Sequence, residues 1–370
     1  MFYEGLQAYF APILTLIIFI FIVVHNSLEP RWIRKLFIYE SILLFILLMA
    51  SWLDKILEGF GDDGLAFYFR KGTSFLNFAF SPLAPIIAAV LYRKKGFSRR
   101  DILFFLPEIL NLTLCVVSLF TGLVFNVTPT NEYSRGVLFF LPFVINGFYA
   151  GMVVFYSTQQ KDRPDQKLET LTVLVLFVCI FLGVLLQLLL HLRFLIWSTA
   201  VMALVIYYMV LAYQFLIYDQ LTGAFSRDGF RLNFQNRRAR DGVLAMIDLN
   251  GLKEINDAQG HEVGDHALYQ FSQILLHSKM RPSRLYRYGG DEFVLLVKKS
   301  NVKAVQVMLA KCAIDAAALE VPLSFSYGVV EVHNGDDFYS RLQEADTLMY
   351  EMKRTMKNGA EKKPISQADI

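Results

Sequence analysis

Two adjacent carboxylates are the side chains of this chain best suited to chemistry. Asp291 and Glu292 follow two glycines in the run Arg287–Phe293, which reads RYGGDEF. A third carboxylate, Asp248, comes directly after the strand-like run Val243–Ile247, and an acid at the end of a buried strand is a typical metal position. Because Mg²⁺ prefers oxygen ligands and takes one or two carboxylates together with substrate phosphates, these residues predict a metal and phosphate site.

The elements that must position these acids are strands joined by a tight turn. The runs Arg284–Tyr286 and Phe293–Val297 flank Gly289 and Gly290, and this pattern predicts a β-hairpin. We expect positive φ angles at its tip, which glycine permits. The hairpin would hold the carboxylates at a rigid strand end.

The rest of the C-terminal half alternates helical and strand-like patterns. We predict a mixed α/β order with non-sequential strands. The further segments are a helix over Asp228–Arg240, a helix over Ala267–Met280, a helix over Val302–Leu319, a strand over Leu323–Val330 and a final helix over Phe338–Met356.

The N-terminal half is too apolar for an ordinary soluble protein. The chain has 370 residues, 55% hydrophobic content and a mean hydropathy of +0.41, and the apolar excess precedes Tyr218. Seven stretches are long enough to cross about 30 Å of hydrocarbon, although the first is short. They are Tyr9–Val24, Leu36–Leu53, Thr73–Tyr92, Ile102–Phe125, Val137–Tyr156, Leu171–Leu190 and Phe194–Ile217. Pro82 and Pro85 predict a kink in the third span.

The charges of the connectors predict the orientation. The basic connectors are those with Arg31, Arg34 and Lys35, with Arg93, Lys94, Lys95, Arg99 and Arg100, and with Lys161, Arg163 and Lys167. These should face the cytoplasm, which places the N-terminus outside and the C-terminal half inside. We expect no cleaved signal peptide, because Met1–Ala8 lacks a basic region. The predicted domains are a transmembrane region over 1–217 and a cytoplasmic domain over 218–370.

Composition excludes some other classes of site. The three cysteines have no paired spacing, and the six histidines lack the spacing of a zinc site. The net charge of +3 favours no particular partner, and we expect no nucleic-acid polymer to bind.

Over its whole length, the C-terminal half resembles the GGDEF family of diguanylate cyclases. The matching motifs are Asp219-x-Leu221-Thr222-Gly223 with Arg227; Asp248, Lys253, Asn256, Gly260-His261 and Gly264-Asp265; Gly289-Gly290-Asp291-Glu292-Phe293; Ser326-x-Gly328; and Ala345-Asp346, Tyr350 and Lys353. The resemblance implies an α+β, palm-like domain of the nucleotidyl-cyclase type, which would follow the α-helical bundle of seven spans predicted from hydropathy. It also implies that two such domains meet as a homodimer, each binding one GTP, and form cyclic di-GMP.

The resemblance further implies roles for single residues. Asp248, Glu292 and the backbone carbonyl of Leu249 would bind Mg²⁺, with Mn²⁺ as a substitute, and Asp291 would act as a base or second-metal ligand. Asn256 and Asp265 would read guanine, whose N–H donors and O6 acceptor suit an acceptor and an amide. The remaining nucleotide contacts would come from Lys253, Leu252 through its backbone, Lys353 and Lys357.

Three departures from the family pattern carry expectations. Asn250 and Leu252 replace the usual Asp and Phe, with little loss expected. Met356-Lys357 stands in place of Gly-Arg, and lysine lacks the bidentate fork of arginine, so triphosphate affinity should be lower. Met280 and Ser283 occupy the positions of the Arg-x-x-Asp inhibitory site, so we expect no product feedback through that site.

The overall hypothesis is a receptor enzyme of the bacterial inner membrane. An unknown ligand would act through the seventh span, surrounded by membrane lipid, although the membrane half could also serve only as an anchor. The alternatives are a degenerate domain that binds GTP without turnover and a cyclase that makes a mixed purine product. In the spans, Glu108, Asn111, Asn146 and Gln187 would line a ligand cavity or join helices, whereas Glu108 could also snorkel to the cytoplasmic surface.

Overall fold

The first of the two units of the protein consists mainly of apolar helices. The computed structural model describes residues 2–26, 29–60, 64–92, 102–159, 166–190, 195–234, 241–278 and 283–361. The units are Met1–Ala212 and Tyr213–Ile370, so the division lies within the last apolar helix. The helices are α1 Phe2–His25, α2 Arg31–Leu57, α3 Gly64–Phe80, α4 Leu83–Tyr92, α5 Ile102–Thr121, α6 Leu141–Gln159, α7 Gln166–Leu190 and α8 Leu195–Ile217. A short 3₁₀ helix, Glu58–Phe60, follows α2.

Six candidate membrane spans are found within the described residues. By length and hydropathy they are Arg31–Phe60, Gly64–Leu91, Ile102–Thr121, Leu141–Gln159, Leu168–Gln187 and Ile196–Ile217, with a shorter apolar helix at Tyr9–His25. The expected number of seven spans is therefore not confirmed. The third span is interrupted between α3 and α4 at Ser81–Pro82, where the prolines predict a kink.

Two predicted span boundaries are wrong for a physical reason. The third span begins at Gly64 rather than Thr73, because Arg70 is buried (3% exposed) beside Asp54 and donates to the Asn131 carbonyl oxygen at 2.5 Å. The fourth ends at Thr121 rather than Phe125. A hairpin of two short strands, β1 Phe125–Val127 and β2 Tyr133–Arg135, follows it. The basic connectors 93–100 and 161–165 lie outside the described residues.

The second unit alternates strands and helices. Its elements are α9 Arg227–Phe234, β3 Gly242–Asn250, α10 Leu252–Gln259, α11 His261–Leu276, β4 Ser283–Arg287, β5 Glu292–Lys298, α12 Val302–Ala317, β6 Ser324–Val332 and α13 Phe338–Glu361. Its four strands form an antiparallel sheet in the order β4-β5-β3-β6, which confirms the non-sequential order.

Both faces of this sheet are covered. One face packs against α11 and α12, with Phe271 and Leu309 in its core. The other packs against α9 and α13, with Phe230 and Leu342 in its core. Burial on both sides explains why the central strand β3 is a nearly continuous apolar run.

Several predicted element ends are wrong by a few residues. Strand β3 continues past Asp248 to Asn250, and α11 begins at His261 instead of Ala267. Helix α9 is described from Arg227 to Phe234, and the remainder of its predicted range, 235–240, lies outside the described residues. Polar residues occupy each of these ends, so apolar periodicity alone does not mark them.

Gly328 on β6 sets how closely α13 lies on the sheet. A Cβ atom at this position would collide with the carbonyl oxygen of Ala345 and lie 2.5 Å from the Met349 nitrogen. Both are backbone atoms of α13, so a rotamer change cannot relieve the clash. The helix that carries Lys353 therefore depends on this glycine for its distance from the sheet.

We expect Gly328→Ala to lower the free energy of unfolding of residues 213–370 by about 2 kcal/mol or more, because α13 must move away from β6. Denaturant unfolding of that unit measures the change. Glu331→Ala, at an exposed position of the same strand, is the matched control and should change stability by less than about 0.5 kcal/mol. Equal stability of Gly328→Ala and the unmodified unit would contradict the close approach.

Candidate active site

The register of the sheet brings the predicted acids together. Asp248 on β3 lies directly opposite Glu292 on β5 and, on its other side, opposite Ser326 on β6. The Leu249 N–H donates to the carbonyl oxygen of Asp291 at 3.0 Å. Directly opposed residues of an antiparallel pair have Cβ atoms about 5 Å apart. The carboxylates of the metal prediction are therefore neighbours at one end of the sheet.

The turn between β4 and β5 differs from the expected one. Neither Gly289 nor Gly290, both within the described residues, has a positive φ, so that prediction is wrong. The N–H groups of Tyr288 and Gly289 instead donate to the Glu292 carbonyl oxygen, at 2.8 and 3.2 Å. A Cβ atom at Gly289 would lie too close to a Glu292 carboxylate oxygen, so a side chain there would displace that carboxylate.

Burial and like charge act on both opposed carboxylates. Asp248 is 5% exposed, and burial raises its pKa, although the Lys353 ammonium, 2.5 Å from Oδ1, acts in the opposite direction. Burial likewise raises the pKa of Glu292, and the negative charges of Asp291, Asp248 and Asp346 raise it further. The ionised carboxylates of Asp248 and Glu292 therefore destabilise each other, and a bound cation would relieve that repulsion.

These residues fit a Mg²⁺ ion that completes its coordination with substrate phosphates and water. Asp248 and Glu292 offer hard carboxylate oxygens, and the backbone carbonyl of Leu249, the next residue of β3, stays a predicted third ligand. No three His, Cys, Asp or Glu side chains within the described residues are grouped as ligands of a metal ion. Mg²⁺ does not need such a cage, since it is usually bound through one or two carboxylates and phosphates.

The two predicted guanine readers lie on consecutive helices. Asn256 is on α10 and Asp265 on α11, and Gly260, with φ 88°, joins these helices. A Cβ atom at Gly264 would collide with the Asn256 amide oxygen, so Asn256 packs against the backbone just before Asp265. Asp265 is exposed and lies inside α11, whose N-cap is Gly260.

The predicted phosphate-binding residues lie on two helices, α10 and α13. Leu252 is buried, and its backbone starts α10 after Gly251, where N–H groups at a helix N-terminus have no partner within the helix. Lys353 contacts Asp248, and Lys357 lies close enough that its charge lowers the pKa of Asp248. Lys253 is exposed on α10.

Two departures from the family pattern have structural consequences. Met356 lies over the strand ends, with Sδ 3.6 Å from the Ser326 hydroxyl and 4.0 Å from the Asn250 amide nitrogen. It therefore fills space that a glycine would leave open. Ser283 begins β4, whereas Met280 lies outside the described residues, so the altered inhibitory site stays a prediction.

Sequence reasoning missed the residue that fixes the turn. Arg287 donates to the Gly290 carbonyl oxygen through Nε at 3.1 Å and Nη2 at 2.8 Å. Its Nη1 contacts both carboxylate oxygens of Asp219, at 3.1 and 3.2 Å. Both residues stand in recognised motifs, but nothing in their spacing reveals that residues 68 positions apart form an ion pair.

Comparison with known proteins gives relatives for this unit. The chain is 28% identical over 152 residues to diguanylate cyclase DgcS of Shewanella oneidensis, covering 38% of this chain and 51% of the relative. It is 30% identical over 134 residues to diguanylate cyclase DosC of Escherichia coli, covering 34% of this chain and 29% of the relative. The chain thus spans about half or less of the length of these two relatives.

A solved structure with similar elements is the GGDEF domain of DgcB from Caulobacter crescentus in complex with c-di-GMP. Its identity is 22% and its TM-score 0.35, and the match covers 38% of this chain and 91% of that one. Residues 216–359 match the family described as diguanylate cyclase, GGDEF domain. This part of the chain belongs to the GGDEF domain family.

Proposed function

We propose that this protein is a membrane-bound diguanylate cyclase that joins two GTP molecules into cyclic di-GMP and releases two pyrophosphates. The observation that carries the proposal is the opposition of Asp248 and Glu292 beside the turn that holds Asp291. Relatives named as diguanylate cyclases support it. The presence of Asp248, Asp291 and Glu292 together disfavours the degenerate alternative, because these acids repel one another without a cation.

The reaction requires a ribose 3′-hydroxyl of one GTP to attack the α-phosphorus of the other. A phosphorus–oxygen bond forms, the bond to pyrophosphate breaks, and the hydroxyl proton leaves; a second such step closes the ring. Bound Mg²⁺ would neutralise charge on the entering and leaving oxygens. Asp291, at the turn, would receive the proton or act as a further ligand. Because each domain holds one GTP, the reaction would need a homodimer.

Base selection would come from α10 and α11. The Asp265 carboxylate accepts hydrogen bonds, which suits the N1–H and N2–H₂ donors of guanine, and the Asn256 amide can donate to O6. Adenine would leave these groups unpaired, which disfavours the mixed purine product. Lys353, Lys357 and Lys253 supply positive charge for the phosphates, and the N-terminus of α10 at Leu252 supplies backbone N–H groups.

The helical unit would anchor the enzyme in the bacterial inner membrane. Six apolar segments long enough to span a membrane precede the GGDEF domain within the described residues, which indicates a membrane-anchored protein. In our proposal, α1 is a seventh span, the N-terminus is outside and the catalytic domain is cytoplasmic. The helical unit, surrounded by lipid, would sense a ligand whose differential affinity for two dimer arrangements sets the activity.

The first test is GTP turnover by the full-length chain in nanodiscs with Mg²⁺, with the product identified by mass. We expect cyclic di-GMP from the intact chain and a loss of at least about 100-fold in Asp291→Ala and Glu292→Ala, because charge neutralisation at the phosphorus is lost. The matched control is Asp315→Asn, at an exposed position of α12. GTP binding without product by a folded dimer would favour the degenerate alternative.

A second test concerns Arg287 as a positioning residue. Arg287→Lys keeps the charge but cannot bond Gly290 and Asp219 together, so we expect kcat to fall about tenfold or more. The KM for GTP should change much less, because Asn256 and Asp265 are untouched. Steady-state kinetics of Arg287→Lys and Asp219→Asn measure this split.

Arg284→Lys is the control, because Arg284 lies on the same strand, is exposed, and contacts the ring of Phe225 rather than the turn. Thermal unfolding of each variant separates a shifted turn from a lost fold. An equal loss in Arg284→Lys, or an unchanged kcat in Arg287→Lys, would show that the guanidinium does not position the turn.

A further inference from the structure

The break between α3 and α4 leaves backbone oxygens inside the helical unit. Pro82 has no N–H with which to bond the Phe78 carbonyl oxygen four residues earlier. The side chain of Asn111 on α5, which is 1% exposed, supplies a donor instead. Its Nδ2 lies 3.1 Å from the Phe78 oxygen and 3.3 Å from the Ala79 oxygen. Asn111 therefore bonds the open end of α3.

A buried carboxylate points to the same place. Glu108 is 9% exposed, and its Oε2 lies 3.3 Å from Asn111 Nδ2. This contact excludes the alternative in which Glu108 snorkels to the surface. Within the described residues, no Lys, Arg or His forms an ion pair with Glu108.

A buried tyrosine next to a second proline fixes the backbone that carries this carboxylate. Pro107 interrupts the hydrogen bonding of α5, and the Tyr149 hydroxyl of α6 inserts there. It donates to the Phe104 carbonyl oxygen at 2.8 Å and accepts from the Glu108 N–H at 3.3 Å. The backbone of Glu108 is thus fixed by a buried tyrosine (0% exposed) rather than by the helix alone.

The donors and acceptors at this point do not balance. One amide nitrogen, with two hydrogens, faces three oxygens at 3.1 to 3.3 Å. The oxygens include a carboxylate and two carbonyls from the C-terminal end of α3, where the helix dipole is negative. With its carboxylate ionised, this buried group has an excess of negative charge, which a cation would compensate.

We propose that Phe78, Ala79, Glu108 and Asn111 form a binding site for a monovalent cation, Na⁺. Rotation of the Asn111 amide by half a turn exchanges its nitrogen and oxygen, which would put Oδ1 where Nδ2 is now, 3.1 to 3.3 Å from the other three oxygens. The amide nitrogen would then face the Cys115 sulfur, now 3.8 Å from Oδ1, and sulfur is a weak acceptor.

A single negative charge selects a monovalent cation, because a divalent ion would leave a net positive charge buried among apolar side chains. Hard oxygen ligands select an alkali cation over a transition metal. Carbonyls at a broken transmembrane helix are known to coordinate Na⁺. The site would join α5 to the break between α3 and α4, and it is independent of the cyclase activity proposed above.

The test measures stabilisation of the helical unit by cations in the full-length chain. In a Cys179→Ala, Cys312→Ala background, Cys115 is the only remaining thiol, and it is fully buried next to Asn111. Its labelling by a fluorogenic maleimide during heating of nanodiscs therefore reports unfolding of this unit. We expect the midpoint in NaCl to exceed that in choline chloride of equal ionic strength by about 3 °C at saturation.

Variants separate the site from a general salt effect. Glu108→Gln should abolish the Na⁺ dependence, whereas Glu108→Asp should retain it at a higher Na⁺ concentration. Glu40→Gln, which removes another buried carboxylate of the same unit, on α2, should leave the Na⁺ response unchanged. Equal midpoints in the two salts, or the same Na⁺ response in Glu108→Gln, would overturn the proposal. A response to K⁺ equal to that to Na⁺ would overturn the assignment to Na⁺.

Discussion

Antiparallel pairing of β3 with β5 sets the positions of Asp248 and Glu292 relative to each other. Because side chains alternate between the two faces of a strand, a slip of one residue would move Glu292 to the opposite face from Asp248. Apolar cores on both faces of the sheet oppose such a slip, since it would bury the polar residues at the strand ends. The geometry of the candidate metal site is therefore a consequence of core packing on both sides.

The same sheet also fixes the start of the domain. Ser226 binds the last turn of α8, with its N–H donating to the Ile217 carbonyl oxygen at 2.7 Å and its hydroxyl to that of Leu216 at 2.5 Å. Phe225 exchanges backbone hydrogen bonds with β4, and Arg287 closes the path from Asp219 to the turn at Gly290. In the described residues no flexible linker separates the end of α8 from the turn at Gly290, so a displacement of that helix end would reach the turn through few contacts.

The sequence allowed the elements of this domain to be predicted better than their contacts. Strand alternation and the polar ends of the strands predicted the β4–β5 hairpin and its carboxylates. The φ angles at Gly289 and Gly290 were predicted wrongly, because the N–H groups of Tyr288 and Gly289 bond to Glu292 and so define the turn. The pairing of Lys353 with Asp248 joins residues 105 positions apart, and local periodicity contains no information about it.

In the helical unit, the polar residues that obscured the pattern are the ones that organise the structure. Arg70 interrupts an apolar run, and so delays the predicted start of the third span, but it is buried because Asp54 and Asn131 bond to it. Asn111 likewise bonds the Phe78 carbonyl oxygen, which Pro82 leaves without its helical donor, and the Tyr149 hydroxyl inserts between the Phe104 carbonyl oxygen and the Glu108 N–H. In hydrocarbon each such group would be costly without a partner. A proline break within a span therefore needs a polar group nearby, here the Asn111 amide, and a search for one from sequence should include the other.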